Sequence, residues 1–162
     1  MHRSLVPAAF ALLCLSAPAL AQDVPFESVS QGQLAANAAA SRSLIKNAGE
    51  LQDSEFGGIV PPSAVDFSQE VLLGVVQDNP SGALFDISIA KVSLGARPGG
   101  GRRLEVQLAQ RAIGPGGGVG SKPYHLVKLS ARHANLPVVF TMLSSVPTNP
   151  APVSAQPQSL PF

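Results

Sequence analysis

The sequence predicts an all-β or β-dominated fold, an antiparallel β-sandwich or a strongly curved sheet with one short helix. Residues 102–111 alternate between apolar and polar side chains, with Leu104, Val106 and Leu108 on one face, which is typical of a strand with one buried face. Gly- and Pro-rich stretches separate this run from four further apolar runs of strand length. Together these patterns favour a layered β-structure around one core.

Five strands are predicted in the second half of the chain, over residues 70–76, 84–92, 102–111, 124–130 and 137–143. The first of these, EVLLGVV, is apolar on both faces, so we expect it to be a central strand between two layers. In the first half, residues 24–30 and 42–46 are candidate strands, whereas residues 33–40 show no clear periodicity.

One short helix is predicted over residues 48–56. Asn47 and Glu50 have the spacing of a capping box, in which each side chain satisfies a free backbone N–H of the first turn. Gly57 and Gly58 provide a stop, and Pro61 with Pro62 ends the segment before the core strands begin.

The N-terminus has the pattern of a signal peptide over residues 1–21. A weakly basic start precedes a short apolar run at 5–15, and Ala19-Leu20-Ala21 provides the small residues required for cleavage. The run is too short to span a bilayer and is interrupted by Pro7 and Pro18. We therefore expect an exported protein, periplasmic or extracellular, with no transmembrane segment after cleavage.

The mature chain is expected to form one β-rich domain over residues 22–143, followed by a disordered Pro-rich tail over 144–162. The tail contains five prolines and no charged residue, so it has too little apolar surface to offset the entropy of ordering. Cys14, the only cysteine, lies in the signal peptide. Disulfides and cysteine-bound zinc are therefore excluded for the mature domain.

Charge is divided unevenly between the two halves of the mature chain. Residues 22–90 carry nine Asp or Glu against two basic residues, a net charge of −7, whereas residues 91–162 carry a net charge of +7. We expect acidic and basic strands to lie side by side and neutralise each other. A bipolar surface that steers a partner is the alternative. Nucleic acid is not expected as a partner, because the basic half has few aromatic residues to stack on bases.

No catalytic residues, metal ligands or cofactors are predicted. His125 and His133 are the only histidines of the mature chain, and their spacing is not that of metal ligands. His125 is expected to be a satisfied or exposed strand residue, and His133 to be exposed in a turn. The glycine-rich stretch at 114–120 lacks the spacing and the following helix of a phosphate loop. We therefore interpret it as a long hairpin connection.

Two segments resemble the PrcB-type family of protease-complex subunits. Residues 65–94 contain an apolar strand, the turn DNPSGALF and an alternating strand; residues 104–129 contain an alternating strand, a Gly-rich linker and KPYHLV, which opens the next strand. The resemblance covers residues 65–143, the PrcB-like core. It implies a non-enzymatic exported accessory protein that binds and stabilises a protease or protease complex.

The resemblance also implies where a protein partner binds. Pro80, Ser81 and Gly82 match the family's turn, while Ala83 stands where a second glycine is usual and can reshape that turn. Pro123 and Tyr124 match the second motif. The partner-binding residues implied in this way are Asn79, Pro80, Ser81, Gly82, Ala83, Leu84, Pro123, Tyr124 and His125.

A second resemblance implies a different function. DNPSGALF and GPGGG are similar to two binding loops of chagasin-like inhibitors of cysteine proteases, which are immunoglobulin-like sandwiches. The third loop of those inhibitors carries a tryptophan, which this chain lacks. A structural envelope domain without a protease partner is the remaining alternative. The oligomeric state and the identity of the partner are left open.

Overall fold

The computed structural model describes residues 21–78, 84–114 and 120–143, which fold as two facing β-sheets and one short helix. The predicted β-dominated sandwich is thereby confirmed. The elements, in chain order, are β1 (Gln22–Asp23), β2 (Glu27–Leu34), β3 (Ser41–Ile45), α1 (Ala48–Gln52), β4 (Glu70–Val76), β5 (Leu84–Ala96), β6 (Arg102–Gly114), β7 (Lys122–Ser130) and β8 (Val138–Met142), with 3₁₀ turns at Pro62–Ala64 and Ala131–His133.

Each sheet contains four strands. The first sheet has the order β1-β5-β6-β8 and the second the order β2-β7-β4-β3. All strand pairs among the described residues are antiparallel except β6 with β8, which is parallel. Strands of each sheet therefore come from distant parts of the chain.

The main core lies between the two sheets. Alternate residues of β4, Val71, Leu73 and Val75, face the first sheet, and Leu72 and Val76 face the other way, yet all are buried. The prediction that residues 70–76 form a central strand is confirmed, since β4 lies between β7 and β3. The buried residues of this core are Val24, Val71, Leu73, Val75, Ile87, Ile89, Val92, Leu104, Val106, Leu108, Val127 and Leu129.

A second apolar cluster covers the outer face of the second sheet. It includes Leu51, Phe56, Val60 and Val65, all from the connection between β3 and β4. Phe56 lies against Gly74 of β4, and an ideal Cβ built on Gly74 would overlap its ring. The connection thus acts as a third layer, and burial of Leu51 and Phe56 attaches it to the sheet.

Helix α1 begins at the predicted N-cap, Asn47, but the reciprocal bond of the capping box goes to the N–H of Lys46 instead of that of Asn47. The Asn47 side-chain oxygen accepts a hydrogen bond from the Glu50 N–H at 2.9 Å, and Glu50 Oε2 accepts one from the Lys46 N–H at 2.7 Å. The helix ends at Gln52, four residues before the predicted end. The Ser54 hydroxyl donates to the Leu51 carbonyl at 2.7 Å, and the turns that follow place Phe56 on the sheet.

Four connections pass from one sheet to the other: β1 to β2, β4 to β5, β6 to β7 and β7 to β8. β4 lies in the second sheet and β5 in the first, while β6 lies in the first and β7 in the second. The interpretation of the Gly-rich stretch as a hairpin connection is therefore wrong, because β6 and β7 do not pair. The true hairpin joins β5 to β6 through residues 97–101, where three consecutive glycines adopt positive φ.

The two charged halves of the chain neutralise each other, as expected. Among the described residues, five of the six ion pairs join an acidic residue of the first half to a basic residue of the second. Lys128 of β7, for example, contacts Glu27 of β2 and Glu70 of β4, both at 3.2 Å. None of the helices in the described part of the chain is long and apolar enough to cross a membrane.

Candidate protein-binding site

Three strands end and three strands begin at one end of the sandwich. We call this end, whose described residues are 35–40, 77–78, 84, 114 and 120–122, the loop end. β2, β4 and β6 finish there, and β3, β5 and β7 begin there. The strand pairs that fix the loop end are Leu34 with Lys122, Ser41 with Val76, and Leu84 with Gly114.

Contacts between described residues hold the three connections together. Asp78 Oδ1 lies 2.9 Å from Lys122 Nζ, and the Gln77 N–H donates to the Pro123 carbonyl at 3.0 Å. Gly120 has a φ of +95°, and a Cβ at this position would overlap Ala36. Only glycine fits this conformation and this close approach. Gly120, at the end of the Gly-rich stretch, therefore packs directly against Ala36 of the 35–40 connection.

The structure places part of the sequence-predicted site at the loop end. Asn79, Pro80, Ser81, Gly82 and Ala83 lie outside the described residues. Leu84, the first residue of β5, is half-buried and pairs with Gly114. The residues that flank the predicted turn, Asp78 and Leu84, thus contact the two ends of the Gly-rich stretch at Lys122 and Gly114.

The other predicted residues, Pro123, Tyr124 and His125, are buried in β7, an interior strand of the second sheet. Tyr124 is 7% exposed; its ring packs against Phe56 at a centroid distance of 6.0 Å, and its hydroxyl lies 2.8 Å from Ser30 Oγ. These side chains support the loop end from inside. We therefore assign them a supporting role instead of the contact role that the resemblance implies.

His125 connects the two sheets. Its Nδ1 accepts a hydrogen bond from the Ile89 N–H of β5 at 2.8 Å, so Nε2 carries the proton and donates to Ser28 Oγ, also at 2.8 Å. Burial lowers the pKa of His125 because it disfavours the charged imidazolium. The ring is neutral with both nitrogens engaged, which matches the expectation of a satisfied strand histidine.

Glutamine side chains of β2 add further hydrogen bonds between the two sheets. The Gln31 amide donates to the Ile87 carbonyl at 2.9 Å, and the Gln33 amide donates to the Phe85 carbonyl at 2.7 Å. These groups lie on the edge of β5 that faces β1, beyond the two residues that β1 pairs. Side chains of the second sheet therefore satisfy backbone groups of β5 that β1 leaves unpaired.

His133 is buried, so the expectation that it is exposed in a turn is wrong. Its side chain is 3% exposed and accepts a hydrogen bond on Nε2 from Arg132 Nε at 3.0 Å. The 3₁₀ turn that carries it is anchored by the Ala131 N–H, which donates to the Gln69 carbonyl at 2.8 Å. No group of three or more potential metal ligands occurs within residues 21–78, 84–114 and 120–143.

A groove at the loop end is not predicted by the sequence. It has a volume of about 400 Å³ and is lined by Arg42, Gln77 and Asp78 together with Ala40, Ser41 and Val76. Arg42 donates to Gln77 Oε1 at 3.4 Å, and its guanidinium lies 5.8 Å from the centroid of the Phe140 ring. The register of β3 against β4 creates this groove, and no local pattern around Arg42 signals it.

Comparisons with protein-family models, with curated proteins and with solved structures find no match to this chain. The two families that the sequence resembles therefore stay predictions.

Proposed function

We propose that this protein is a non-catalytic, exported binding domain that uses its loop end to bind and stabilise a protease or protease complex. The observation that carries the proposal is that the described flanks of two segments, residues 77–78 and 84 of the first and residues 114 and 120–122 of the second, meet at one end of the sandwich. They belong to residues 65–94 and 104–129, the segments in which the sequence resembles the PrcB-type family. These flanks are joined by the Asp78 to Lys122 ion pair and by the pairing of Leu84 with Gly114.

The architecture supports binding through loops. Loops presented by a rigid scaffold carry binding function disproportionately often, and sandwiches cluster such loops at their ends. Buried contacts of Tyr124 and His125 fix the base of the loop end, which lowers the entropy lost when a partner binds. Asp78 keeps a side chain that is 61% exposed and is available for polar contacts.

Site-specific photo-crosslinking in the source cell tests the proposal. A photoreactive residue replaces the exposed Asn37 or Asp78 at the loop end, and a matched control replaces the exposed Asn135 at the opposite end. We expect one protease to be crosslinked from Asn37 and Asp78 and identified by mass spectrometry. Crosslinking of that protease from Asn135 alone, or of partners that are not proteases, would contradict the proposal.

The abundance of the protease in the cell distinguishes a stabilising role from binding alone. We expect the abundance of the crosslinked protease to fall when the gene is deleted and to be restored by the natural protein. A variant in which a Gly-Ser sequence replaces residues 79–83 should not restore it. A control in which Ser replaces Arg97 and Pro98, in the β5–β6 turn at the far end, should restore it fully.

Inhibition of a cysteine protease is the second candidate function. It is favoured by the same end carrying the flanks of both DNPSGALF and GPGGG, the two stretches similar to chagasin-like binding loops. An inhibitor slows papain-like proteases at a defined stoichiometry, and the 79–83 replacement abolishes the effect. Lack of inhibition across several such proteases excludes this candidate and leaves the accessory function standing.

A further inference from the structure

A cavity with two arginines lies at the end of the sandwich opposite the loop end. It has a volume of about 290 Å³, and we call it the arginine cavity. Leu94 and Arg102 flank the β5–β6 hairpin, and the 3₁₀ turn after β7 closes the other side. The lining residues are Gln22, Leu94, Arg102, Arg132, His133 and Leu136.

The positive charge of the arginine cavity is not neutralised within the described part of the chain. No carboxylate lines the cavity, and neither Arg102 nor Arg132 forms an ion pair with a described residue. The acidic residues nearest in sequence are already engaged, since Asp23 contacts Lys91 at 2.8 Å and Glu105 contacts Arg103 at 2.8 Å. Two guanidinium groups therefore retain donors for an anion from outside.

Arg132 is oriented before any ligand arrives. Its Nε donates to Nε2 of the buried His133 at 3.0 Å, which leaves the two terminal nitrogens for other partners. Burial and the neighbouring Arg132 charge both lower the pKa of His133, so the imidazole stays a neutral acceptor. A guanidinium whose orientation is fixed in this way loses less entropy when it binds an anion.

The size of the arginine cavity and its apolar side chains favour a carboxylate over a phosphate. Arginine binds both carboxylate and phosphate through paired N–H donors, but Leu94 and Leu136 line the same cavity. Its volume is at the lower limit of ligand pockets, about 300 to 1,000 Å³, and fits one amino-acid-sized group. A carboxylate attached to a small apolar group satisfies both the charge and the wall.

We propose that the arginine cavity binds a carboxylate carried on a small apolar group, either the C-terminal residue of a peptide or a free short-chain acid. Arg132 and Arg102 hold the carboxylate, and Leu94 and Leu136 contact the apolar part. This site is separate from the loop end and does not depend on the identity of a protein partner.

Isothermal titration calorimetry at low ionic strength tests the site with four probes: N-acetyl-leucine, isovalerate, N-acetyl-leucinamide and inorganic phosphate. We expect both carboxylates to bind, and the neutral amide to bind at least about tenfold more weakly, because it lacks charge-assisted hydrogen bonds. Tighter binding of N-acetyl-leucine identifies a chain end as the ligand, and tighter binding of isovalerate identifies a free acid. Equal binding of the amide, tighter binding of phosphate, or no binding of either carboxylate overturns the proposal.

Variants locate the binding site. Arg132→Gln and Arg102→Gln should each weaken N-acetyl-leucine binding by about tenfold or more, since glutamine keeps a donor but removes the charge. Arg111→Gln is the control, because Arg111 lies near the loop end and its side chain is 81% exposed. Thermal unfolding checks that each variant is folded; if Arg132→Gln is not, the exposed Arg102 carries the test. Unchanged affinity in the folded arginine variants overturns the assignment.

Discussion

At the scale of single residues, the fold depends on close contacts that allow little change. Phe56 packs where a Cβ of Gly74 would lie, with its Cζ 2.7 Å from that position. The glycine is needed because the ring of the covering layer reaches the backbone of a central strand. Leu126 also approaches the same position, at 3.2 Å, and both neighbours are fully buried.

Gly74→Ala should therefore destabilise the protein by about 1 to 3 kcal/mol, the usual cost of overpacking a core. Urea denaturation monitored by circular dichroism measures the change. Gly58→Ala is the matched control, since nothing lies within 4 Å of its added Cβ, and its effect should stay within about 0.5 kcal/mol. A Gly74→Ala variant as stable as the Gly58→Ala control would show that Phe56 does not occupy this position.

The neutral, buried His125 makes stability depend on pH. An unfolded histidine binds a proton near pH 6.5, whereas burial lowers the pKa of His125 in the folded protein. Its contribution is therefore complete above about pH 6.5 and is lost as the pH falls below that value toward the folded pKa. Buried His133, whose pKa is also lowered, adds to the same trend.

His125→Leu should lower the free energy of unfolding at pH 7.5 by about 1 to 3 kcal/mol, because the Ile89 N–H loses its acceptor. The variant should also lose less stability than the natural protein between pH 7.5 and pH 5, since only one of the two buried histidines, His133, is left to titrate. Urea unfolding at the two pH values measures both effects. An identical pH dependence in the two proteins would exclude His125 as a titrating group of the core.

At the scale of elements, local patterns predict most strands but not their partners. The alternation at 102–111 corresponds to β6, because a strand buried on one face has alternating apolar residues. The continuous apolar run at 70–76 corresponds to β4, because a strand buried on both faces is apolar throughout. Burial of His133 was not predictable, since the turn that carries it is anchored by a hydrogen bond to Gln69, far away in sequence.

The N-cap of α1 is predictable because it is entirely local, and it should account for part of the stability of the covering layer. Asn47→Ala should cost about 1 kcal/mol, the typical value for loss of an N-cap. Asn47→Ser keeps a side-chain oxygen for the Glu50 N–H and, unlike Asp, places no second carboxylate beside Glu50, whose Oε1 accepts a hydrogen bond from Asn47 Nδ2 at 2.9 Å; it should be close to neutral. Thermal and urea unfolding provide the measurement; equal losses in both variants would show that the cap does not stabilise the helix.

At the scale of the whole molecule, acidic residues of the first half of the chain lie next to basic residues of the second half. Exposed single pairs such as Lys91 with Asp23 contribute little to stability. Lys128 differs because it lies between carboxylates on both neighbouring strands, and its hydrogen bonds to Glu70 and Glu27 raise its pKa. One cation on β7 thus contacts carboxylates on both strands that pair with β7.

Lys128→Glu should destabilise the protein clearly more than Lys91→Glu, because the new carboxylate faces two others in place of one. Urea unfolding at low ionic strength compares the two variants. The difference should shrink in 1 M salt, where the Debye length is about 3 Å. A larger loss in Lys91→Glu would contradict the central position assigned to Lys128.

The arrangement of the candidate site was only partly predictable. The motifs of the family resemblance predict that residues 79–84 and 123–125 bind a partner. In the structure, Asp78, which precedes the first of these segments, contacts Lys122, which precedes the second. The groove at Arg42 and the arginine cavity depend on strand register and on packing between elements. Such information is not present in any short stretch of the chain.

The sheet topology also determines the order in which the strands can pair as the chain is synthesised. β5 and β6 can pair early, since a turn of five residues joins them. β2 and β4, in contrast, both need β7 as a partner, and β7 is made last of the three. Until residues 122–130 have emerged, two strands keep unpaired edges that are open to wrong association. Nonlocal pairing of this kind is slow, so β7 sets the moment at which the second sheet is completed.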